Sequence, residues 1–130
     1  VLNKAFVDLG RALQDGQDGM VERAKAYIIQ HIGEDIALED IAERFYLSQY
    51  HFSRTFKAKT GETLISFIIR CKMEHAMKLL ASTHMKIYEV SERTGYKSLR
   101  HVYKLFKAYA GMTPSAYRQQ MHIEVDRDEE

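Results

Sequence analysis

The chain has 130 residues, 45% hydrophobic and 28% charged, with a formal net charge of +1, a balance that fits one globular domain able to bury a core without staples or metals. Its single cysteine, Cys71, excludes an internal disulfide and any cysteine-based zinc cluster, and suits a reducing cytoplasm. The histidines lack metal-ligand spacing, no apolar run approaches a membrane span, and no signal-peptide series is present. The expectation is therefore a cytoplasmic protein with no metal, no cofactor and no membrane partner. The start at Val1 rather than methionine points to a fragment whose N-terminal part is missing.

The charge is unevenly placed. Residues 21–118 hold 16 Lys/Arg against 10 Asp/Glu, a balance of +6, while 124–130 carries five acids against Arg127. Two windows contain no acid. One runs from Arg44 to Gly61 with Arg44, Arg54, Lys57 and Lys59, and the other from Arg93 to Arg118 with Arg93, Lys97, Arg100, Lys104, Lys107 and Arg118. Such windows are either solvated helical faces or footprints on a polyanion.

In chain order, Leu2, Ala5, Phe6, Leu9 and Leu13 recur at helical spacing, and the Gly/Asp/Gln stretch Asp15 to Gly19 then predicts a break into a linker. A second helix is predicted from about Met20 to His31, stopping before Gly33. A short helix over Leu38 to Phe45 follows, then a turn and a longer helix opening at Ser48. A long connecting helix over Thr63 to about Ala81 offers Phe67, Ile68, Cys71, Ala76, Leu79 and Leu80 for packing. The short-turn-long pattern then returns, with a helix over Ile87 to Thr94 and another opening at Ser98. Thr113-Pro114 starts the last helix, threonine as cap and proline at the first helical position. No strand alternation of useful length occurs, so the predicted fold class is all-α with about seven helices.

The two short-turn-long segments are copies. At an offset of 50, residues 46–63 and 96–113 share eight of 18 positions: Tyr46/Tyr96, Ser48/Ser98, His51/His101, Phe56/Phe106, Lys57/Lys107, Ala58/Ala108, Gly61/Gly111 and Thr63/Thr113. Upstream the offset becomes 49, so the second copy has one extra residue in its turn. Each copy has the helix-turn-helix anatomy. In the first long helix Phe52 and Phe56 would face the core with Leu38, Ile41 and Leu47, leaving Tyr50, Ser53, Arg54 and Lys57 outward. In the second, Val102 and Phe106 go inward, with Leu105 a further candidate, while Arg100, Tyr103, Lys104 and Lys107 go outward. Guanidinium, hydroxyl and ammonium groups without an acid are what a major-groove reader needs. Tyr50 and Tyr103 fit either reading or partly buried packing. His51 and His101 fit packing or phosphate contact rather than metal ligation.

The segments LEDIAERFYLSQYHFSRTFKAKTG, KMEHAMKLL and KIYEVSERTGYKSLRHVYKLFKAYAGMTPSAYR carry a resemblance. From about Met20 to Arg118 the chain resembles the DNA-binding domain of AraC/XylS-family transcription regulators, and around KIYEVSERTGYKS it is similar to YesN-like response regulators, where such a domain follows a phosphorylatable receiver domain. The resemblance implies two helix-turn-helix subdomains (38–60 and 87–110) joined by the connecting helix (63–81) within a domain spanning 20–121, preceded by a helix and linker (1–19) and followed by an acidic tail (122–130). It implies base reading by Tyr50, Ser53, Arg54, Leu99, Arg100, Tyr103 and Lys104. Phosphate contacts are expected at Ser48, Lys57, Lys97, Ser98 and Lys107. Arg100, His101 and Val102 stand where the family often has Ser, Tyr and Phe, and Lys72 where Arg is usual. This puts the ordinary specificity of the second helix in doubt and predicts a slightly smaller core at Val102.

The expected partner is double-stranded DNA, read at an asymmetric site because the two outward faces differ, with the reading helices about one DNA turn, on the order of 34 Å, apart. RNA polymerase is a further expected partner. The resemblance implies a monomeric isolated domain, with dimerisation residing in the missing region. No nucleophile-base pair, paired carboxylates or phosphate-cradling glycine loop is present, so an enzyme is not expected. The rival is a helical protein-interaction module using the same faces.

Overall fold

The computed structural model describes the backbone of residues 2–129 and the side chains of residues 16–122. Among the described residues there are seven helices and no strand: α1 (Leu2–Gln30), α2 (Leu38–Arg44), α3 (Gln49–Thr60), α4 (Leu64–Ser82), α5 (Ile87–Glu92), α6 (Leu99–Ala110) and α7 (Pro114–Glu129). None is long and apolar enough to cross a membrane. The chain divides into two compact units, one of Val1–Gln30 with Ala37–Leu64, the other of His31–Ile36 with Ile65–Glu130.

The first unit packs α3 against α1 and α2. Val21, Ala24 and Ile28 of α1, Ile41 and Ala42 of α2, and Phe52 and Phe56 of α3 are all buried. Phe45 stacks on Phe52 with ring centroids 5.5 Å apart. The predicted break at Asp15 to Gly19 does not occur, because α1 runs through it without interruption. Neither Gly16 nor Gly19 has a positive φ. Glycine disfavours a helix by only about 1 kcal/mol, too little to stop one where no proline blocks propagation. The side chains of the helically spaced Leu2, Ala5, Phe6, Leu9 and Leu13 lie outside the described ones. Leu47, expected in the core, is 37% exposed. It follows Tyr46, whose φ of 58° turns the chain outward.

In the second unit Met73, Ala76 and Leu80 of α4, Val90 of α5, and Val102 and Phe106 of α6 form one apolar cluster, with Leu105 and Tyr117 partly buried against it. The Tyr117 ring meets Phe106 edge-on at 5.8 Å. Thr113 caps α7, its hydroxyl accepting from the Ala116 N–H at 3.2 Å, as the Thr-Pro pair predicts. The helix then continues through the segment expected as an acidic tail. On α4 the expected Phe67, Ile68, Ala76 and Leu80 are buried, and Leu79 packs against the apolar cluster. Cys71 and Leu79 are only half-buried, whereas Leu64, Ile68, Lys72, Ala76 and Leu80 form a buried stripe four residues apart, with Met73 beside it.

Lys72 is the odd member of that stripe, 1% exposed. Its ammonium donates to the carbonyl oxygens of Ile32 at 2.8 Å and Glu34 at 2.6 Å, and to that of Thr94, so each of its three protons has an acceptor. Burial pushes its pKa down to about 8, against the opposing pull of the Asp35 and Glu34 carboxylates. Next to Thr94, Gly95 has φ 81°, and a Cβ there would land on the Glu34 carbonyl. Loop 31–36 and the α5–α6 turn are thus sewn together through Lys72 and pressed too close for a side chain.

The two turns share a backbone pattern that identifies the extra residue. The Phe45 and Tyr46 N–H groups donate to Ala42 and Glu43, and those of Thr94 and Gly95 donate to Ser91 and Glu92. Tyr46 therefore corresponds to Gly95, both at positive φ, and the identity Tyr46/Tyr96 is not a structural match. The surplus residue lies between Gly95 and Ser98.

Two outcomes follow for stability. Phe106→Ala is expected to cost about 3–5 kcal/mol, measured by denaturant unfolding, and an unchanged midpoint would mean that Phe106 does not pack inward. Gly95→Ala should cost at least about 2 kcal/mol from strain and collision. Tyr46→Gly should stay within about 1 kcal/mol of the parent, because relieved strain opposes the added chain entropy. Equal losses at the two positions would contradict the crowding assigned to Gly95 alone.

Candidate nucleic-acid interface

Each long helix is started and phased by the same devices. The Ser48 hydroxyl oxygen accepts from the His51 N–H at 3.2 Å, and the Ser98 hydroxyl oxygen accepts from the His101 N–H at 3.2 Å. Both helices end at a glycine with φ 78°, whose N–H returns to the carbonyl of Lys57 or Lys107. Between cap and stop, burial of Phe52 and Phe56 in α3, and of Val102 and Phe106 in α6, decides which side faces out. The capping serines keep their hydroxyl protons available for an outside acceptor.

The outward face of α3 presents Tyr50, Arg54 and Lys57 as exposed residues and Ser53 as a half-buried one. Tyr50 is 66% exposed, which excludes a packing role for most of its ring. Arg54 donates through Nη1 to the Tyr50 hydroxyl at 3.1 Å, and its guanidinium carbon lies 5.9 Å from the Tyr50 ring centroid. His51 is exposed, with its ring edge-on to Tyr50 at 5.8 Å.

On α6, Leu99, Arg100, Tyr103, Lys104 and Lys107 are all exposed, as are Lys97 and Ser98 just before it. Tyr103 is 37% exposed and Leu99 40%. With Leu99, Val102, Val90 and Leu80, Tyr103 borders a small apolar recess. His101 packs edge-on against Tyr96 at 5.1 Å. It thus has a packing partner in its own unit.

Neither α3 nor α6 contains an acid. Among the described residues no hydrogen bond or ion pair holds the side chains of Lys57, Lys97, Arg100, Lys104 or Lys107. Three basic residues of the acid-free windows are engaged elsewhere. Lys59 pairs with Asp18 at 3.5 Å, and Arg44 lies over the Tyr27 ring at 4.6 Å. Arg118 donates through Nε to the Leu80 carbonyl at 3.2 Å. The exposed cations are consequently Arg54 and Lys57 on α3 against Arg100, Lys104 and Lys107 on α6. Tyr46, 96% exposed beside α3, was hidden from sequence reading by its chance identity with Tyr96.

Comparison with known proteins gives this geometry a family. A model described as "Helix-turn-helix domain" matches residues 41–120. The regulatory protein PocR of Salmonella typhimurium is 33% identical over 105 residues, 81% of this chain and 35% of PocR. The chain thus spans about a third of that relative's length. Among solved structures, the C-terminal domain of AraT, a response regulator from Geobacillus stearothermophilus, is similar with a TM-score of 0.75 and 35% identity, over 78% of this chain and 84% of AraT's. The DNA-binding domain of AdpA, a global transcriptional factor solved in complex with a target DNA, is similar with a TM-score of 0.76 and 27% identity, over 80% of this chain and 94% of AdpA's. The chain belongs to the AraC/XylS family of transcription regulators, which it matches over the helix-turn-helix DNA-binding domain.

Proposed function

We propose that this domain binds an asymmetric double-stranded DNA site, with α3 and α6 each entering the major groove, and that it regulates bacterial transcription within a longer protein. The observation that carries the reading is the duplicated helix face, capped by serine, phased by buried apolar residues, free of acid and set with exposed cations. In this reading Tyr50, Ser53 and Arg54 form one reading surface and Leu99, Arg100, Tyr103 and Lys104 the other. Ser48, Lys57, Lys97, Ser98 and Lys107 meet phosphates, which fix register without reading sequence. The likeness to the AraT domain supports a receiver-type segment upstream, with dimerisation and RNA polymerase contacts belonging to the whole regulator.

Selection of bound duplexes from a random pool, followed by binding across a range of salt, tests the proposal. A steep fall of affinity with salt, together with sequence preference, is expected. Failure to bind any duplex at low salt, with salt-insensitive capture of a protein partner, would instead establish an interaction module.

Lys57→Ala or Lys107→Ala should weaken binding to all duplexes about equally and lower the magnitude of the salt slope by roughly one unit. A loss confined to particular sequences would make that lysine a base reader. Arg100, in the first turn of α6, is assigned a bidentate contact to guanine, worth about 1–3 kcal/mol of discrimination. Arg100→Ala should therefore relax preference at one or two base pairs in the half of the site read by α6, leaving the other half unchanged. A uniform loss across a panel of single-base variants would reassign Arg100 to phosphate.

A further inference from the structure

The first reading face contains a side-chain pair that the second lacks. Tyr50 and Arg54 stand one helical turn apart on α3, joined by the 3.1 Å hydrogen bond from Nη1 to the phenol oxygen. At the matching positions of α6 stand Arg100 and Lys104, two cations that cannot accept from one another. A free arginine carries about 2 kcal/mol of side-chain rotamer entropy, part of which is lost when the guanidinium settles in one orientation on a base edge. A hydrogen bond already made within the helix removes part of that loss before binding.

The choice of acceptor matters. A carboxylate at position 50 would orient Arg54 more strongly, but it would also neutralise the guanidinium and repel phosphate. A phenol orients without cancelling the charge. It occupies one of the guanidinium's five donors and leaves the remainder for an outside acceptor pair. The Tyr50 ring is in turn steadied by His51 edge-on at 5.8 Å. His51 follows directly in the capped first turn, its own N–H tied to Ser48. Cap, ring and guanidinium form one chain of contacts within a single helix.

Building on the DNA-binding reading above and refining the part Tyr50 plays in its α3 surface, we infer that Tyr50 serves that surface as a positioning residue, whose hydroxyl holds the Arg54 guanidinium in the orientation that reads a guanine edge, rather than by contacting a base edge itself. In the α3 half of the site a preorganised arginine then reads beside Ser53. In the α6 half an unrestrained arginine reads with a lysine beside it.

The test measures binding of the 130-residue chain to its selected duplex and to all single-base variants, for Tyr50→Phe, Arg54→Ala and the double variant. Tyr50→Phe keeps the ring and removes only the hydroxyl. It is expected to reduce discrimination about threefold to tenfold, the worth of one hydrogen bond, at the same base pairs that Arg54→Ala affects, and to have no effect once Arg54 is alanine. Melting should not move, since Tyr50 is 66% exposed. Additive effects of the two substitutions, an effect at a different base pair, or no effect of Tyr50→Phe would each overturn the inference while leaving DNA binding standing. Absence of any preferred duplex for the unsubstituted chain would overturn both.

Discussion

Burial of two apolar side chains one turn apart in each long helix, Phe52 with Phe56 and Val102 with Phe106, is the constraint from which the rest of the interface follows. Side chains at i and i+4 share a face, so sinking both into a core fixes the rotation of the helix about its own axis. The serine cap fixes where the helix begins. Rotation and starting point together determine which side chains leave the core, and no separate interaction is needed to send Arg54 or Arg100 outward. An aromatic pair is well suited to this, because its large area makes any other rotation costly.

The two copies have kept this constraint and diverged in the turn that precedes it. In the first unit the turn is open, and the left-handed position carries Tyr46 with its side chain almost wholly in solvent. In the second, the same position is Gly95 because the Glu34 backbone lies against it. The carbonyls of Ile32, Glu34 and Thr94 converge there, and all accept from Lys72. An apolar residue would suit the α4 stripe but leave those oxygens unsatisfied, at about 1–3 kcal/mol each. An ammonium satisfies three at once. Its lowered pKa records what this placement costs the charge.

These relations explain what sequence could and could not disclose. Helix positions, the capping serines, the Thr-Pro start of α7 and the inward phenylalanines are local, set by spacing within one turn, and were legible. The outward sides of α3 and α6 were legible for the same reason. Lys72 was not, because a lysine in an apolar stripe looks like a boundary until residues 38 and 40 positions away supply its acceptors. Leu47 looked buried by its chemistry, but a positive φ at its neighbour turned it out. The continuous α1 was missed because two glycines and a run of polar residues are a weak veto on a helix. Lys59 and Arg118 count toward the acid-free windows, but Asp18 and the Leu80 carbonyl, distant in sequence, engage them.

Divergence of the reading faces carries the remaining step. A duplicated motif with identical outward residues would favour a repeated sequence, and one chain could then settle on its site with its halves exchanged between the two repeats. Here the first face pairs a phenol with an arginine, while the second sets an arginine beside a lysine, with more exposed cations in all. Hydrogen-bond discrimination depends on orientation, whereas attraction to phosphate is insensitive to it and weakens with salt. On the proposed reading the second face therefore supplies more of the salt-dependent affinity and the first more of the sharp selection. A single chain with two unlike faces then distinguishes the direction of its site as well as its sequence, which a symmetric pair of readers cannot do.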